Sequence, residues 1–209
     1  AWTTFAAGEK AWAYRADQLS TTHPIVAEIN DLEDVMINFD GITYAKGASV
    51  LKQLAAWVGR DAFAAGVAEY FKKHAFGNAV LADLLVELEK SSGRDLKAWS
   101  KQWLETAGVN KLELDLDVDA SGVITKFNIQ QSAIDAYPVI RDHRMAVGLY
   151  NLVDGKIVRT DREELDVSSV STSVPAFVGK ARPDLILLND DDLAYAQIRL
   201  DDASWKFAL

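Results

Sequence analysis

The first half of the chain repeats apolar residues at steps of three and four, the spacing that puts them on one face of an α-helix. Residues 18–38 interrupt this pattern with Pro24 and a mixed acidic stretch, so we expect them to be mostly loop. The predicted helices are residues 2–16, a segment from Asp40 to Val58 that stops at Gly59, a helix capped by Asp61, a helix from Leu81 closed by Gly93, and a helix capped by Asp95 that stops at Gly108. One buried face is expected to unite Trp2, Phe5, Ala6 and Trp12.

From Asn110 onward, apolar and polar residues alternate, which is typical of half-buried strands. Ala120-Ser121-Gly122 predicts a turn, and Asp154-Gly155 predicts a tight hairpin. The expected strands carry Leu112, Leu114, Leu116 and Val118; then Val123, Thr125, Phe127 and Ile129 on one face; then Met145, Val147 and Leu149; then Val170–Val178 and Leu185–Leu188. Short strands joined by tight turns predict an antiparallel β-sandwich.

The change of period divides the chain and predicts the α+β fold class. We expect a helical portion over 1–107 and a β-sandwich domain over 108–200. Residues 201–209 are expected to begin a linker or a further domain.

Composition limits the possible functions. The 209 residues are 49% hydrophobic and 25% charged, which is ordinary for a globular protein. A net charge of −9 argues against a nucleic-acid partner, because phosphate binding needs clustered Lys and Arg. The absence of cysteine excludes disulfides and thiolate metal sites and fits the cytoplasm. No apolar run approaches the ~18 residues that span a bilayer, so no membrane partner is expected.

Two features have both a functional and a structural interpretation. Asp190-Asp191-Asp192 could hold calcium, but the run lacks the spacing of a loop ligand set, so a solvated loop after a strand is favoured. Trp57, Trp99 and Trp103 could form a stacking platform, but their spacing follows the apolar helix faces and favours core packing.

The most informative segment runs from Phe39 to Leu51. Asp40 is suited to cap a helix there, because its carboxylate can accept hydrogen bonds from free backbone amides, and Tyr44 follows in the first turns, where a side chain can face a cleft. The segment resembles the Phe-Asp-x-Ile-x-Tyr-x-Lys-Gly-Ala-x-Val-Leu motif of the M1 family of zinc aminopeptidases, the aminopeptidase N group. The matching residues are Phe39, Asp40, Ile42, Tyr44, Lys46, Gly47, Ala48, Val50 and Leu51, and Ser20–Ile25 also resembles the stretch ahead of the family's helix.

The resemblance implies a catalytic role for Tyr44, since the family's tyrosine at this place donates its phenol proton to the oxyanion of a tetrahedral intermediate. Tyrosine suits this role because it is a neutral donor at working pH. Lys46 and Gly47 are assigned no chemistry and are interpreted as a surface charge and a small residue that allows close packing. The resemblance also implies the end of a thermolysin-like catalytic domain followed by the family's small β-sandwich.

The zinc-binding residues of the family are absent from this sequence. The family binds zinc through His-Glu-x-x-His and a more distant glutamate, and neither this pattern nor the family's Gly-x-Met-Glu-Asn segment occurs here. His23 is interpreted as a hydrogen-bonded loop residue, His74 as a helix-end residue and His143 as a solvent-exposed residue. Zinc is therefore expected in the full-length parent, with no metal or cofactor in this chain.

The sequence thus predicts a fragment of a zinc-dependent aminopeptidase that removes N-terminal residues from peptides. Peptide substrates and the missing N-terminal catalytic segments would be its partners. The fragment alone is expected to be inactive, because it lacks the zinc ligands and the general base. Two alternatives stay open: a non-catalytic protein-interaction module of helical bundle and sandwich, and a degenerate family member whose zinc site was lost.

Overall fold

The computed structural model describes residues 2–209 and confirms the α+β fold class. The helices are α1 (Trp2–Ala7), α2 (Glu9–Ala16), α3 (Leu32–Ile37), α4 (Gly47–Val58), α5 (Arg60–Lys73), α6 (Leu81–Ser92), α7 (Lys97–Leu104) and α8 (Asp202–Ala208), with a π-helical turn at Ile42–Lys46. The strands are β1 (Lys111–Val118), β2 (Ile124–Ser132), β3 (His143–Val153), β4 (Lys156–Val167), β5 (Ser171–Ser173), β6 (Leu185–Asp190) and β7 (Gln197–Arg199). Within residues 2–209, every helix is too short or too polar to traverse a lipid bilayer.

The helices of the first half close around a buried cluster, the helical core. Its members are Ala13, Ala45, Val50, Leu54, Val58, Leu88, Leu96, Trp99, Trp103 and Tyr195. As predicted, Trp99 and Trp103 face inward and are 2% and 1% exposed. As also predicted, α4 ends before Gly59, whose φ of 89° is favourable only for glycine.

The prediction of one buried face for residues 2–16 is wrong. Trp2 and Trp12 are 60% and 41% exposed, and Lys10 and Ala13 are instead the buried residues of α2. The helix breaks at Gly8, so the residues before and after it do not share one continuous face. The Trp2 ring remains at the surface, where the Lys52 ammonium lies 4.7 Å from its centroid.

Residues 18–38 are mostly loop, as predicted, and contain one short helix, α3, which the Asp31 side chain caps by accepting from the backbone amides of its first turn. Two helix boundaries differ from prediction. Asp61 lies inside the first turn of α5 and makes no cap, since that helix begins directly after Gly59. Helix α7, which was expected to stop at Gly108, ends at Leu104.

The strands form two sheets, in the orders β5-β2-β1-β7 and β4-β3-β6. Both sheets contribute to one buried cluster that includes Leu112, Phe127, Ile129, Met145, Val147, Leu149, Ile186 and Leu188. The neighbouring pairs are antiparallel except for β1 and β7, which are parallel, so the antiparallel prediction is wrong for that pair. The predicted hairpin is confirmed, with positive φ angles of 50° at Asp154 and 75° at Gly155.

Two strand predictions are corrected. Ile124 is buried beside Phe127 and Ile129, whereas Thr125 is exposed. A shift of register between Asp117 and Val118 on the facing strand breaks the alternation there. The strand expected over 170–178 is reduced to β5, because the chain turns into a 3-10 helix at Pro175, which has no amide hydrogen to donate to a ladder.

The second half contributes directly to the helical core. The Tyr195 ring stacks on Tyr14 with ring centroids 4.7 Å apart, and the Tyr195 backbone amide donates to Gln53 Oε1 at 3.0 Å. Lys10 Nζ donates to the carbonyl of Ala194 at 2.8 Å. The helical and strand portions therefore pack against each other, and the domain division at 107/108 stays a prediction.

Candidate active site

The motif helix begins with the π-helical turn Ile42–Lys46, which runs directly into α4. Asp40 caps it as predicted, since its Oδ1 accepts from the backbone amides of Ile42 and Thr43, both at 2.9 Å. Its other oxygen, Oδ2, lies 2.9 Å from Nε2 of His23. π-helical turns are rare and occur frequently at functional sites, and this one carries Tyr44.

Tyr44 is 52% exposed, although the turn that carries it is otherwise well anchored. Ile42, Ala45 and Lys46 in the same turn are buried. The Tyr44 ring packs against Phe39, with ring centroids 4.7 Å apart. A rigid turn therefore presents the phenol to the outside of the chain, where it can meet a ligand.

The interpretation of Lys46 as a surface charge is wrong. Its side chain has no exposed area, and its Nζ lies 2.8 Å from Oδ2 of Asp17, which is also fully buried. Nζ also donates to the carbonyl of Gly108 at 3.2 Å. Burial lowers the pKa of Lys46 to about 8, although the Asp17 charge opposes this shift.

A methyl group added to Gly47 would meet no atom closer than 3.9 Å, so close packing does not require glycine there.

Asp17, which the sequence did not single out, is the centre of this buried network. Its Oδ1 accepts from Thr22 Oγ1 at 2.7 Å and from the Gly108 amide at 2.9 Å. Its Oδ2 accepts from the Tyr195 hydroxyl at 3.2 Å and faces Lys46. Burial, with the Asp17 charge as the second cause, raises the pKa of Tyr195 far above its ordinary range. A buried carboxylate with this many donors is well compensated for its loss of water.

Two of the three histidine interpretations hold. His23 is hydrogen-bonded between the Pro24 carbonyl, at 2.7 Å, and Asp40, and His74 ends α5. His143 was expected to be exposed and is fully buried, with Nε2 3.0 Å from Gln131 Oε1. Burial and the nearby Arg141 charge lower the pKa of His143 to about 3.

The described residues do not fit a zinc site. Among residues 2–209, no group of three or more His, Asp or Glu side chains is placed to hold a metal ion. His23 lies in a loop, His74 at the end of α5 and His143 at the start of β3.

The acidic run is a solvated loop after a strand only in part: Asp191 is exposed on the turn that follows β6, but Asp190 is buried, and basic side chains pair with the carboxylates that calcium would need. Asp190 ends β6 and is 5% exposed. The ion pairs join Asp190 to Arg159, Asp191 to Arg159 and Arg162, and Asp192 to Lys10 and Lys52. The run therefore connects β6 to β4, α2 and α4.

Large apolar side chains lie exposed on both sides of Tyr44 in the sequence. We call this set the apolar rim: Leu32, Met36, Ile37, Phe39 and Leu51, each more than half exposed. Continuous exposed apolar surface is uncommon on monomeric proteins and marks surfaces that contact other molecules or domains. The Phe39 ring of this rim packs against Tyr44, so the phenol has an exposed apolar neighbour.

The motif from Phe39 to Leu51 therefore carries an exposed phenol on a π-helical turn. Residues 1–103 match the Peptidase family M1 domain, and the chain belongs to this family.

Among curated relatives, the chain is 61% identical over 210 residues to aminopeptidase N of Streptomyces lividans, an alignment that covers 97% of this chain and 24% of the relative. It is 36% identical over 113 residues to tricorn protease-interacting factor F2 of Thermoplasma volcanium, covering 54% of this chain and 14% of that protein. It is 30% identical over 181 residues to leucyl aminopeptidase of Saccharolobus solfataricus, covering 83% and 22%. The chain thus spans a quarter or less of the length of these relatives.

Proposed function

We propose that this chain is the part of an aminopeptidase that supplies an oxyanion donor, the hydroxyl of Tyr44, during hydrolysis of the first peptide bond of a peptide. One observation carries the proposal: the phenol is exposed on an anchored π-helical turn inside the family's motif. The names of the relatives, aminopeptidase N and leucyl aminopeptidase, support the same class of reaction.

In the proposed reaction, the role of this chain is to place the Tyr44 phenol next to the carbonyl oxygen of the substrate. When water adds to a peptide carbonyl, negative charge develops on the carbonyl oxygen, and a donor aimed at that oxygen stabilises the transition state. The phenol O–H can donate to this oxygen without first having to gain a proton. The removal of one such donor typically costs about 2.7–4 kcal/mol of transition-state stabilisation.

The proposal assigns zinc to a longer gene product, because the residues described here do not fit the ion. Zinc would supply the activation of water in that protein. We propose that residues 1–209 alone are inactive and that the whole protein acts on peptides in the cytoplasm. Turnover of an aminoacyl reporter by the purified 209-residue chain, abolished by a chelator, would contradict this assignment.

The test of the donor is Tyr44→Phe in the full-length gene product. We expect kcat to fall by about two to three decades with little change in KM, since the hydroxyl acts on the charge of the transition state. Tyr70→Phe on α5 is the matched control, because it removes a phenol from a helix away from the motif and should leave kcat unchanged. Equal kcat values for Tyr44→Phe and the unsubstituted protein would refute the proposal.

The apolar rim favours a second candidate, a non-catalytic module that docks onto another protein. The name of one relative, tricorn protease-interacting factor F2, describes an interaction of that kind for that protein. The two candidates differ at Tyr44. A docking module would tolerate Tyr44→Phe, whereas Met36→Asp in the rim would weaken its complex.

A further inference from the structure

We infer that Lys46 and Asp17 are positioning residues: their buried ion pair keeps Ile42–Lys46 in the π-helical conformation and thereby fixes the direction of the Tyr44 hydroxyl. This inference rests on the proposed role of Tyr44 as a donor. It concerns a different pair of side chains, which lie inside the protein and cannot touch a substrate.

A chain of contacts connects the two ends of the turn; we call it the circuit, and it runs through Asp40, His23, Thr22, Asp17 and Lys46. At one end, Asp40 caps the turn and its Oδ2 is held by His23. The residue before His23 is Thr22, whose hydroxyl donates to Asp17 Oδ1 at 2.7 Å. Asp17 in turn faces Lys46, which is the last residue of the turn. Tyr44 lies on the segment between the two anchored ends, so its position depends on both of them.

The Lys46 end is also tied to distant parts of the chain. Lys46 Nζ donates to the Gly108 carbonyl, and Asp17 accepts from the Gly108 amide, so the pair grips the backbone just before β1 from both sides. The Tyr195 hydroxyl donates to the same Asp17 oxygen that faces Lys46. A movement of the Lys46 head would break its contacts with Asp17 and with the Gly108 carbonyl together, which makes this end of the turn stiff.

Loss of the ion pair has a defined geometric consequence for Tyr44. A π-helical turn contains one residue more than an α-helical turn, and it persists only where other contacts favour it. If the turn relaxes to an α-helix, residues on one side of it move by one helical step, about 100° around the axis. Such a rotation would carry the phenol away from its original direction, and misplacements of about 1 Å can cost about a hundredfold in rate.

The test uses Lys46→Met in the full-length gene product, which removes the charged end of the side chain and keeps most of its length. We expect kcat to fall about tenfold to a hundredfold with KM nearly unchanged, and by no more than Tyr44→Phe lowers it. In the Tyr44→Phe background, Lys46→Met should have little further effect, because there is no hydroxyl left to position. An equal loss in both backgrounds would overturn the inference.

Lys10→Met is the matched control. Lys10 is also buried, at 3% exposure, and also ion-paired, to Asp192, but its Nζ bonds to Asp192 and the Ala194 carbonyl and not to Asp17, Gly108 or the Tyr44 turn. It should destabilise the protein without the selective loss of kcat. A loss of kcat in Lys10→Met as large as in Lys46→Met would show a general structural effect and would also overturn the inference.

A second readout does not depend on activity. With 3-fluorotyrosine at position 44 of the 209-residue chain, we expect one narrow fluorine resonance that shifts or broadens in Lys46→Met and not in Lys10→Met. An unchanged resonance in Lys46→Met would overturn the positioning role. If Tyr44→Phe leaves kcat unchanged while the resonance still responds to Lys46→Met, the proposed function fails and the positioning role stands.

Discussion

The Lys46 ammonium and the Asp17 carboxylate form an ion pair in which neither side chain has any contact with solvent. Charges buried in this way are held by their partners and not by water, so the loss of either partner leaves an uncompensated charge in the interior. The pair joins the end of α2 to the start of α4. Lys46 is also the last residue of the turn that carries Tyr44, so the pair ties that turn to α2.

Lys46→Met is expected to lower the free energy of unfolding by about 3–5 kcal/mol, because the buried Asp17 side chain loses the cation that compensates it. Adding Asp17→Asn should recover part of that loss, since the amide removes the unpaired charge. Urea unfolding of the chain measures both values. Lys72→Met is the control: its pair with Glu69 is on the surface, with Lys72 70% exposed, and its removal should change stability by less than about 0.5 kcal/mol. Equal effects at the two lysines would contradict this account.

His143 should make the fold sensitive to acid. Its pKa is lowered from the ordinary 6.5 to about 3 by burial and by the Arg141 charge. Between these values the unfolded chain binds a proton that the folded chain does not, so stability falls as the pH drops from 6.5 toward 3. The slope approaches about 1.4 kcal/mol per pH unit for one such group.

The variant His143→Gln removes this titration and keeps an N–H that can donate to Gln131. Unfolding free energies measured at pH 7 and pH 4 should therefore differ less in His143→Gln than in the unsubstituted chain. His74→Gln, at the partly exposed end of α5, serves as the control and should retain the original dependence. If both variants keep it, another group causes the acid sensitivity.

Trp103→Ala should destabilise the chain by about 3–5 kcal/mol, as is typical for removing a buried aromatic residue. Trp103 is 1% exposed, its indole N–H donates to the Asp142 carbonyl at 2.8 Å, and its ring meets the edge of His143 with ring centroids 5.0 Å apart. Trp205→Ala, at a residue that is 56% exposed, should change stability by less than about 0.5 kcal/mol. Thermal unfolding of the two variants makes the comparison, and similar losses would contradict it.

Gly148→Ala should also destabilise the fold, by about 1–3 kcal/mol, because a side chain added there overpacks the sheet. The new Cβ would lie 2.7 Å from the Tyr150 ring and against the Asp190 carboxylate, which is paired with Arg159. Gly77→Ala is the control, since its Cβ would meet only the His74 carbonyl, at 3.6 Å. A stable Gly148→Ala chain in denaturant titration would show that Tyr150 and Asp190 can move aside.

The local elements could be predicted because their signals are local. The Asp40 cap, the end of α4 at Gly59 and the inward tryptophans of α7 each depend on residues within a few positions of one another. The Asp154-Gly155 hairpin is of the same kind. The motif around Tyr44 identified the family for the same reason, since it is one continuous run of residues.

The buried polar network could not be predicted, because its partners are far apart in sequence. Lys46 bonds to Gly108 across 62 positions, and Tyr195 bonds to Asp17 across 178. A lysine on an amphipathic helix is ordinarily exposed, and a run of three aspartates is ordinarily solvated. Only folding brings Asp17 next to Lys46. Only folding brings four basic side chains next to the three aspartates. The π-helical turn has no sequence signal that could have revealed it.

Tyr195 has a consequence for how segments of this family can be exchanged. The Tyr195 ring packs in the helical core and its hydroxyl donates to Asp17. A hybrid that joins residues 1–107 of one homologue to the strands of another would therefore combine a helical core with a Tyr195 loop from a different protein. Chimaeras with a crossover near residue 107 should fold poorly unless the Tyr195 loop travels with the helices that enclose it.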